Sequence, residues 1–153
     1  MIDDLYSARI LKLAANMPRA GRLAAPQGSS EKVAKLCGSR IIVDVVLEAG
    51  VISDFAQEVK ACALGQAAAA VLGDKVIGAS PGEIEMALIA FRAMLKSNGL
   101  APTGRFADLS MLEPVKDYPP RHASTLLAFE AAVEACRQAQ GAVTARTSCA
   151  GAA

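Results

Sequence analysis

A chain of 153 residues with a net charge of +1 is one ordinary domain, long enough to bury a real core. Its 16 basic residues are scattered among 15 acidic ones, which leaves no field for holding a polyanion and argues against nucleic-acid binding. The hydrophobic fraction of 53% is inflated by alanine and contains no run of roughly 18 apolar residues, so no membrane span is expected.

Met1-Ile2-Asp3-Asp4 lacks the basic-then-apolar layout of a signal peptide, and a cytoplasmic protein is expected. In that reducing setting the four cysteines read as thiols or ligands, not as a disulfide framework. Asp3 or Asp4 is predicted to cap a first helix whose apolar stripe is Leu5, Ala8, Ile10, Leu11 and Leu13, stopped by Pro18. The polar Ala25-Pro26-Gln27-Gly28-Ser29-Ser30 reads as a loop. Residues 39–48 alternate as a strand, with Ile41, Val43, Val45 and Leu47 on one face and Ile42, Asp44, Val46 and Glu48 on a mixed, partly wet one. Ala49-Gly50 supplies a turn into a return strand ending near Lys60, with Val51, Phe55 and Val59 to one side.

From Cys62 to about Val76 the pattern predicts a helix whose Ala67–Ala70 stretch offers a small-residue face. Ser80-Pro81-Gly82-Glu83 spells a capping box with proline at the first helical position, and Asn98-Gly99 closes that helix. The connection Leu100–Pro120 carries Pro102, Pro114, Pro119 and Pro120, with one short helix bearing Phe106, Leu109 and Leu112. A last helix is expected from about Ala123 to Gln140. Residues 1–140 then form one domain, and the small, unpatterned residues 141–153 form a disordered tail. The fold class is α+β: a small antiparallel sheet built around residues 39–60 and covered by helices.

Chemistry concentrates at two cysteines. Cys37-Gly38-Ser39 stands before the first strand, and Lys60-Ala61-Cys62-Ala63 opens the helix after the second. A strand-turn-strand unit carries both thiols to the same end of the sheet and sets Cys62 on the positive end of a helix dipole, where a thiolate is favoured. Thiols so placed can hold a soft metal or carry sulfur. A cysteine taken singly is ordinarily a small core residue, and Cys136 on the late helix reads that way. Cys149, in the tail, reads as incidental.

Those residues also carry a family likeness. Tyr6-Ser7, then Asn16-Met17-Pro18-Arg19-Ala20-Gly21, Leu36-Cys37-Gly38, Cys62, and Pro119-Pro120-Arg121 leading into Ser124-Thr125-Leu126-Leu127-Ala128 occur in an order that resembles the U-type iron–sulfur cluster scaffolds: IscU, SufU and the N-terminal domain of NifU. The likeness spans roughly residues 4 to 138. The long Leu100–Pro120 connection and Arg105-Phe106-Ala107-Asp108-Leu109 resemble the SufU branch. Leu112-Glu113-Pro114-Val115-Lys116 is similar to the chaperone-recognition motif of the IscU branch but lies too early in the chain.

The resemblance implies an IscU/SufU-like sheet of about three strands covered by four to six helices. It also implies three ligand cysteines, with an acidic residue two places after the first. Here the first falls on Cys37 and the second on Cys62, the third position holds Ser124, and the acidic position holds Ser39. Hydroxyls are poor ligands for zinc or ferrous iron, so the implied cofactor, zinc or iron or an iron–sulfur cluster, is expected to be weakly held. His122, two residues before Ser124, stands in as a ligand if that segment is extended, because alternate positions share a side; it does not if the segment coils. Ser124 is expected to cap the final helix. Lys60 and Arg121 lie where they can stabilise nearby thiolates or face solvent.

The implied function is a scaffold or sulfur acceptor of iron–sulfur cluster assembly, more a carrier than a catalyst. It takes persulfide sulfur from a cysteine desulfurase on Cys37 or Cys62 and serves apo iron–sulfur acceptor proteins. The alternative is an interaction protein of the same fold that binds no metal. A thiol redox protein is a third reading, against which the absence of a Cys-x-x-Cys motif counts.

Overall fold

Three antiparallel strands, β1 (Gly28–Ala34), β2 (Ser39–Glu48) and β3 (Val51–Lys60), lie side by side in the order β1-β2-β3. The computed structural model describes the backbone of residues 7–152 and the side chains of residues 7–142. β2 runs over the expected residues and buries Ile41, Val43, Val45 and Leu47 on the core face. Ala49 and Gly50 both take positive φ, 54° and 82°, the primed turn whose twist suits a two-residue hairpin.

A register shift between Val46 and Leu47 alters the far end of β3. Val45 faces Phe55, but Leu47 faces Ile52, so one extra residue of β3 is taken up as a bulge. Ile52, not the expected Val51, therefore joins Phe55 on the core face. The mixed face of β2 also departs from expectation. Asp44 is fully buried, with Arg22 donating to it from Nε (2.6 Å) and Nη2 (3.2 Å), Ser29 Oγ donating at 2.6 Å and the Leu23 amide at 3.0 Å. Loss of solvent pushes its pKa up, but Arg22, Ser29 and the Leu23 amide together pull harder, so the carboxyl sits below its ordinary value.

β1 corrects the loop expected at Ala25–Ser30. Gly28–Ala34 pairs with Ser39–Val45 through its whole length. Its polar run lacks the usual alternation because it is an edge strand, and its position depends on a helix crossing it. A Cβ on Gly28 would strike the carbonyl of Ala135 and come within 2.8 Å of the Ala139 amide. The opposite edge of the sheet is closed by residues 19–21. The Gly21 amide donates to Gln57 O (2.8 Å) and the Gln57 amide to Arg19 O (3.0 Å), while the buried Gln57 Nε2 donates to Ala69 O (2.9 Å). The edge thus presents fewer unpaired groups.

Four α-helices and two 3-10 stretches are described. Helix α1 (Ala8–Ala15) is capped by Ser7, which accepts from the Ile10 amide; Asp3 and Asp4, the expected caps, lie outside the described residues. Helix α2 (Ala63–Lys75) is alanine-rich and buried along most of its length. Helix α3 (Pro81–Lys96) has the complete Ser80/Glu83 capping box and gives way to Asn98 with φ 55°. Helix α4 (His122–Ala152) lies across β1 and β2 and packs on α2 and α3. The boundary expected at residue 141 falls next to the stretch whose side chains lie outside the described residues.

The segment Gly104–Asp117 forms 3-10 turns and buries Phe106, Leu109, Leu112 and Val115. Every third residue faces inward, the period of a 3-10 helix. Phe91 and Phe106 meet Phe129 edge to face, with ring centroids 5.8 and 5.4 Å away. Arg105 ties the segment to the end of α2, donating to the carbonyls of Lys75 (3.1 Å) and Ile77 (3.2 Å) and pairing with Glu83.

Gly28→Ala should destabilise the fold by about 1–3 kcal/mol in urea melts, because β1 and α4 must separate. Gly141→Ala, with nothing near its Cβ position, should not. For Asp44 the folded carboxyl has the lower pKa, so its contribution is complete above about pH 4, the unfolded value, and is lost as pH falls through the folded value. Asp44→Asn should therefore be less stable than wild type at neutral pH, with the two melting curves converging in acid; parallel curves throughout would contradict a charged Asp44.

Candidate thiol site

The β1–β2 connection Lys35-Leu36-Cys37-Gly38 is a single tight turn closed by the Gly38 amide on Ala34 O, 2.8 Å. Gly38 has φ 76°, a left-handed conformation that strains other residues, and this fixes glycine after the cysteine. The turn holds Cys37 in solvent and starts β2 at the buried Ser39, whose hydroxyl lies 3.0 Å from Cys37 Sγ. The last β2–β3 pair at this end of the hairpin is Arg40 with Lys60, so Cys37 and Cys62 leave the sheet at the same end.

Cys62 occupies the N-cap of α2, with φ −66° and ψ 170°, but its side chain does not cap. The sulfur faces Ser124 Oγ at 3.6 Å instead. That reach depends on Gly65. A Cβ there would lie 2.9 Å from Ser124 O, so the first turns of α2 and α4 are pressed together. The small-residue stretch expected at Ala67–Ala70 is buried too, but Gly65 makes the approach at the thiols, and one of two glycines in an alanine-rich helix carries no distinctive sequence signal.

Ser124, 1% exposed, is the third residue of α4 and not its cap; its Oγ donates back to Arg121 O at 3.2 Å. His122 is not brought to the thiols. Pro119–Arg121 is already a 3-10 turn and His122 begins α4, so two residues apart means about 200° around the helix instead of the same side. Its Nε2 donates to Val115 O (3.0 Å) and Lys116 O (3.2 Å), fastening α4 to the 3-10 segment. The structure thus gathers Cys37, Ser39, Cys62 and Ser124 and leaves His122 out.

The two thiols differ in setting. The Ser39 hydroxyl, then the Ser39 amide, hold the Cys37 thiol below its ordinary range; burial opposes them, and the Ser124 hydroxyl and Arg121 charge add smaller downward pulls. Cys62 is half-buried. Cys136 is buried in the core, and burial alone pushes its thiol up to about 12, the inert behaviour of a packing residue. Among the described residues no group of three or more His, Cys, Asp or Glu side chains could hold a metal ion. Two thiols and two hydroxyls are not a closed donor set for zinc or for a cluster on one chain. They do make an exposed thiol against Ser39, with a second thiol against Ser124 at the same end of the sheet.

The thiols thus stand at the open end of the hairpin of a three-stranded antiparallel sheet and at the helix start that follows it. No family model matches the chain. It is 51% identical to a nitrogen-fixing NifU-like protein (N-terminal) from Brucella abortus, whose crystal structure it matches with a TM-score of 0.89 over 92% of this chain and 97% of that one. It is 26% identical over 134 residues to the iron-sulfur cluster assembly scaffold protein IscU of Thermotoga maritima, covering 88% of this chain and 94% of that protein. A SufU structure from Fervidobacterium islandicum AW-1, assigned to the SUF system, matches with a TM-score of 0.80 at 20% identity, over 88% of this chain and 98% of that one, a likeness of fold alone. The chain belongs to the IscU/NifU-like family of iron–sulfur cluster scaffolds.

Alkylation by iodoacetamide followed across pH should show Cys37 reacting with a midpoint below that of an ordinary thiol. Ser39→Ala should move that midpoint up, because the first cause of the depression is the Ser39 hydroxyl. An unchanged midpoint would remove Ser39 from the site.

Proposed function

We propose that this chain accepts sulfur from a cysteine desulfurase on Cys37, as a persulfide, and passes it into iron–sulfur cluster assembly. The observation that carries this reading is the exposed Cys37 sulfur 3.0 Å from the Ser39 hydroxyl, beside a second thiol and an incomplete ligand set. Cys37 thiolate attacks the outer sulfur of the desulfurase persulfide, the donor's S–S bond breaks, and the desulfurase cysteine leaves as a thiolate. A hydroxyl and an amide aimed at Cys37 stabilise the anion that attacks. Cys37 is favoured over Cys62 as the acceptor because a partner's loop reaches an exposed turn more readily than a half-buried helix start.

Clusters are cargo on this reading, passed toward apo iron–sulfur proteins and not kept. Ser124 stands where the family has its third thiol and Ser39 where it has an acid, so a single chain offers two strong donors. A cytoplasmic setting is part of this reading. No helix among the described residues is long and apolar enough to cross a membrane.

Incubation with a cysteine desulfurase and labelled cysteine should place one labelled sulfur atom on the Cys37 peptide, and Cys37→Ser should abolish it. Desulfurase binding with no label on any cysteine would leave an interaction protein of the same fold in place of an acceptor. Ser124→Cys should raise zinc retained through dialysis against a chelator, since it adds a thiol 3.6 Å-class in distance from Cys62 at a position already buried. Stoichiometric zinc on wild type, unchanged by Ser124→Cys, would overturn the incomplete-site reading.

A further inference from the structure

We infer that Cys62 resolves the Cys37 persulfide, so that the chain itself reduces the sulfane sulfur and releases it as sulfide, leaving a Cys37–Cys62 disulfide. This rests on the acceptor reading and extends it from carrying sulfur to delivering it in reduced form.

The placement of the thiols carries the inference. The β2–β3 register ends at Arg40 with Lys60, so Cys37, three residues before Arg40, and Cys62, two after Lys60, emerge together from the same end of the hairpin. Ser124 Oγ lies 3.6 Å from Cys62 Sγ, and Ser39 Oγ lies 3.0 Å from Cys37 Sγ, so each thiol leaves the sheet against a serine hydroxyl. Cys62 packs partly against the core but makes no capping bond. It sits at the N-cap of α2 without capping it, which leaves the sulfur free to turn to a neighbour and puts it at the end of the helix where negative charge is favoured. Exposure sets the order of events: a donor meets the exposed Cys37 first, and the half-buried Cys62 is left beside the loaded sulfur. No third donor among the described His, Cys, Asp and Glu residues competes by tying the pair to a metal.

Atoms and electrons balance without an external oxidant. Cys62 sulfur, giving up its proton, attacks the inner sulfur of the persulfide, Cys37 Sγ. The bond from Cys37 Sγ to the terminal sulfur breaks, and the terminal sulfur leaves with the electron pair and that proton as hydrosulfide. One sulfane sulfur is reduced by two electrons and two thiols are oxidised to a disulfide. Hydrosulfide is the better leaving group because its conjugate acid is stronger than an alkyl thiol. A dithiol reductant then returns the disulfide to two thiols for the next cycle.

The experiment needs neither desulfurase nor iron. The full chain is loaded with glutathione persulfide, desalted anaerobically without added thiol, and followed by sulfide release and by peptide mass mapping. Wild type should release about one sulfide per loaded chain and yield a Cys37–Cys62 crosslinked peptide. Cys62→Ser and Cys62→Ala should load Cys37 normally but keep the persulfide, with release slowed by roughly tenfold or more. Cys136→Ala, which removes only a core thiol, should release as wild type does. If Cys62→Ser and Cys62→Ala release sulfide as fast as wild type, or wild type keeps its persulfide with no crosslink, the resolving role fails while the acceptor reading stands. If Cys37 takes no sulfur in any variant, the acceptor reading fails and this one with it.

Discussion

The pairing register of β2 with β3 is the constraint on which the site depends. Side chains alternate across a strand, so a slip of one residue would turn Ser39 and the core face of β2 together to the other side. The register is held at one end by the primed Ala49-Gly50 turn and at the other by the chain exits to Cys37 and Cys62. A hairpin with ten residues in each strand must twist, and the bulge beyond Phe55 lets the turn end adjust without moving the thiol end. The irregularity lies far from the chemistry, where it costs the site nothing.

Helix α4 adds the second half of the geometry. Two glycines let it come close: Gly28 admits its middle to β1, and Gly65 admits its first turn to α2. Because the second contact is backbone against backbone, Ser124 is placed by main-chain packing and not by a flexible side chain. The buried Asp44, paired with the exposed Arg22, serves the same rigidity from the other face. It fastens the segment before β1 to the centre of β2, with every oxygen of the carboxylate bonded, the condition under which a buried charge is tolerated.

How far the sequence spoke depended on how local each signal was. The alternation of 39–48, the Ala49-Gly50 turn and the Ser80/Glu83 box are carried by neighbouring residues, and the structure forms them where they were expected. β1 was illegible because Ser29-Ser30-Glu31-Lys32 has no hydrophobic alternation; it becomes a strand by pairing with β2 and lying under α4, contacts made by residues far along the chain. The buried Phe106, Leu109 and Leu112 were visible only as part of a short helix, and Val115 was not seen as its continuation, since a period of three is easily read as a fragment of 3.6. At the site, the convergence of the two thiols followed from the hairpin, and the exclusion of His122 turned on whether residues 122–124 coil. Two prolines just upstream, which start a helical turn readily, decided that question.

The exchange of thiol for hydroxyl at Ser124 changes chemistry more than packing. A serine is nearly the size of a cysteine, so a position 1% exposed is filled by either with little rearrangement. A thiolate there would be a soft donor competing for metal with Cys37 and Cys62. A hydroxyl is a hard, neutral group that ligates zinc or ferrous iron poorly but donates a hydrogen bond well. Together with Ser39 it sets hydroxyls against the thiols, and the Ser39 hydroxyl favours the anionic form of Cys37. The two cysteines therefore stand in different settings, Cys37 exposed against the Ser39 hydroxyl and Cys62 half-buried against the Ser124 hydroxyl.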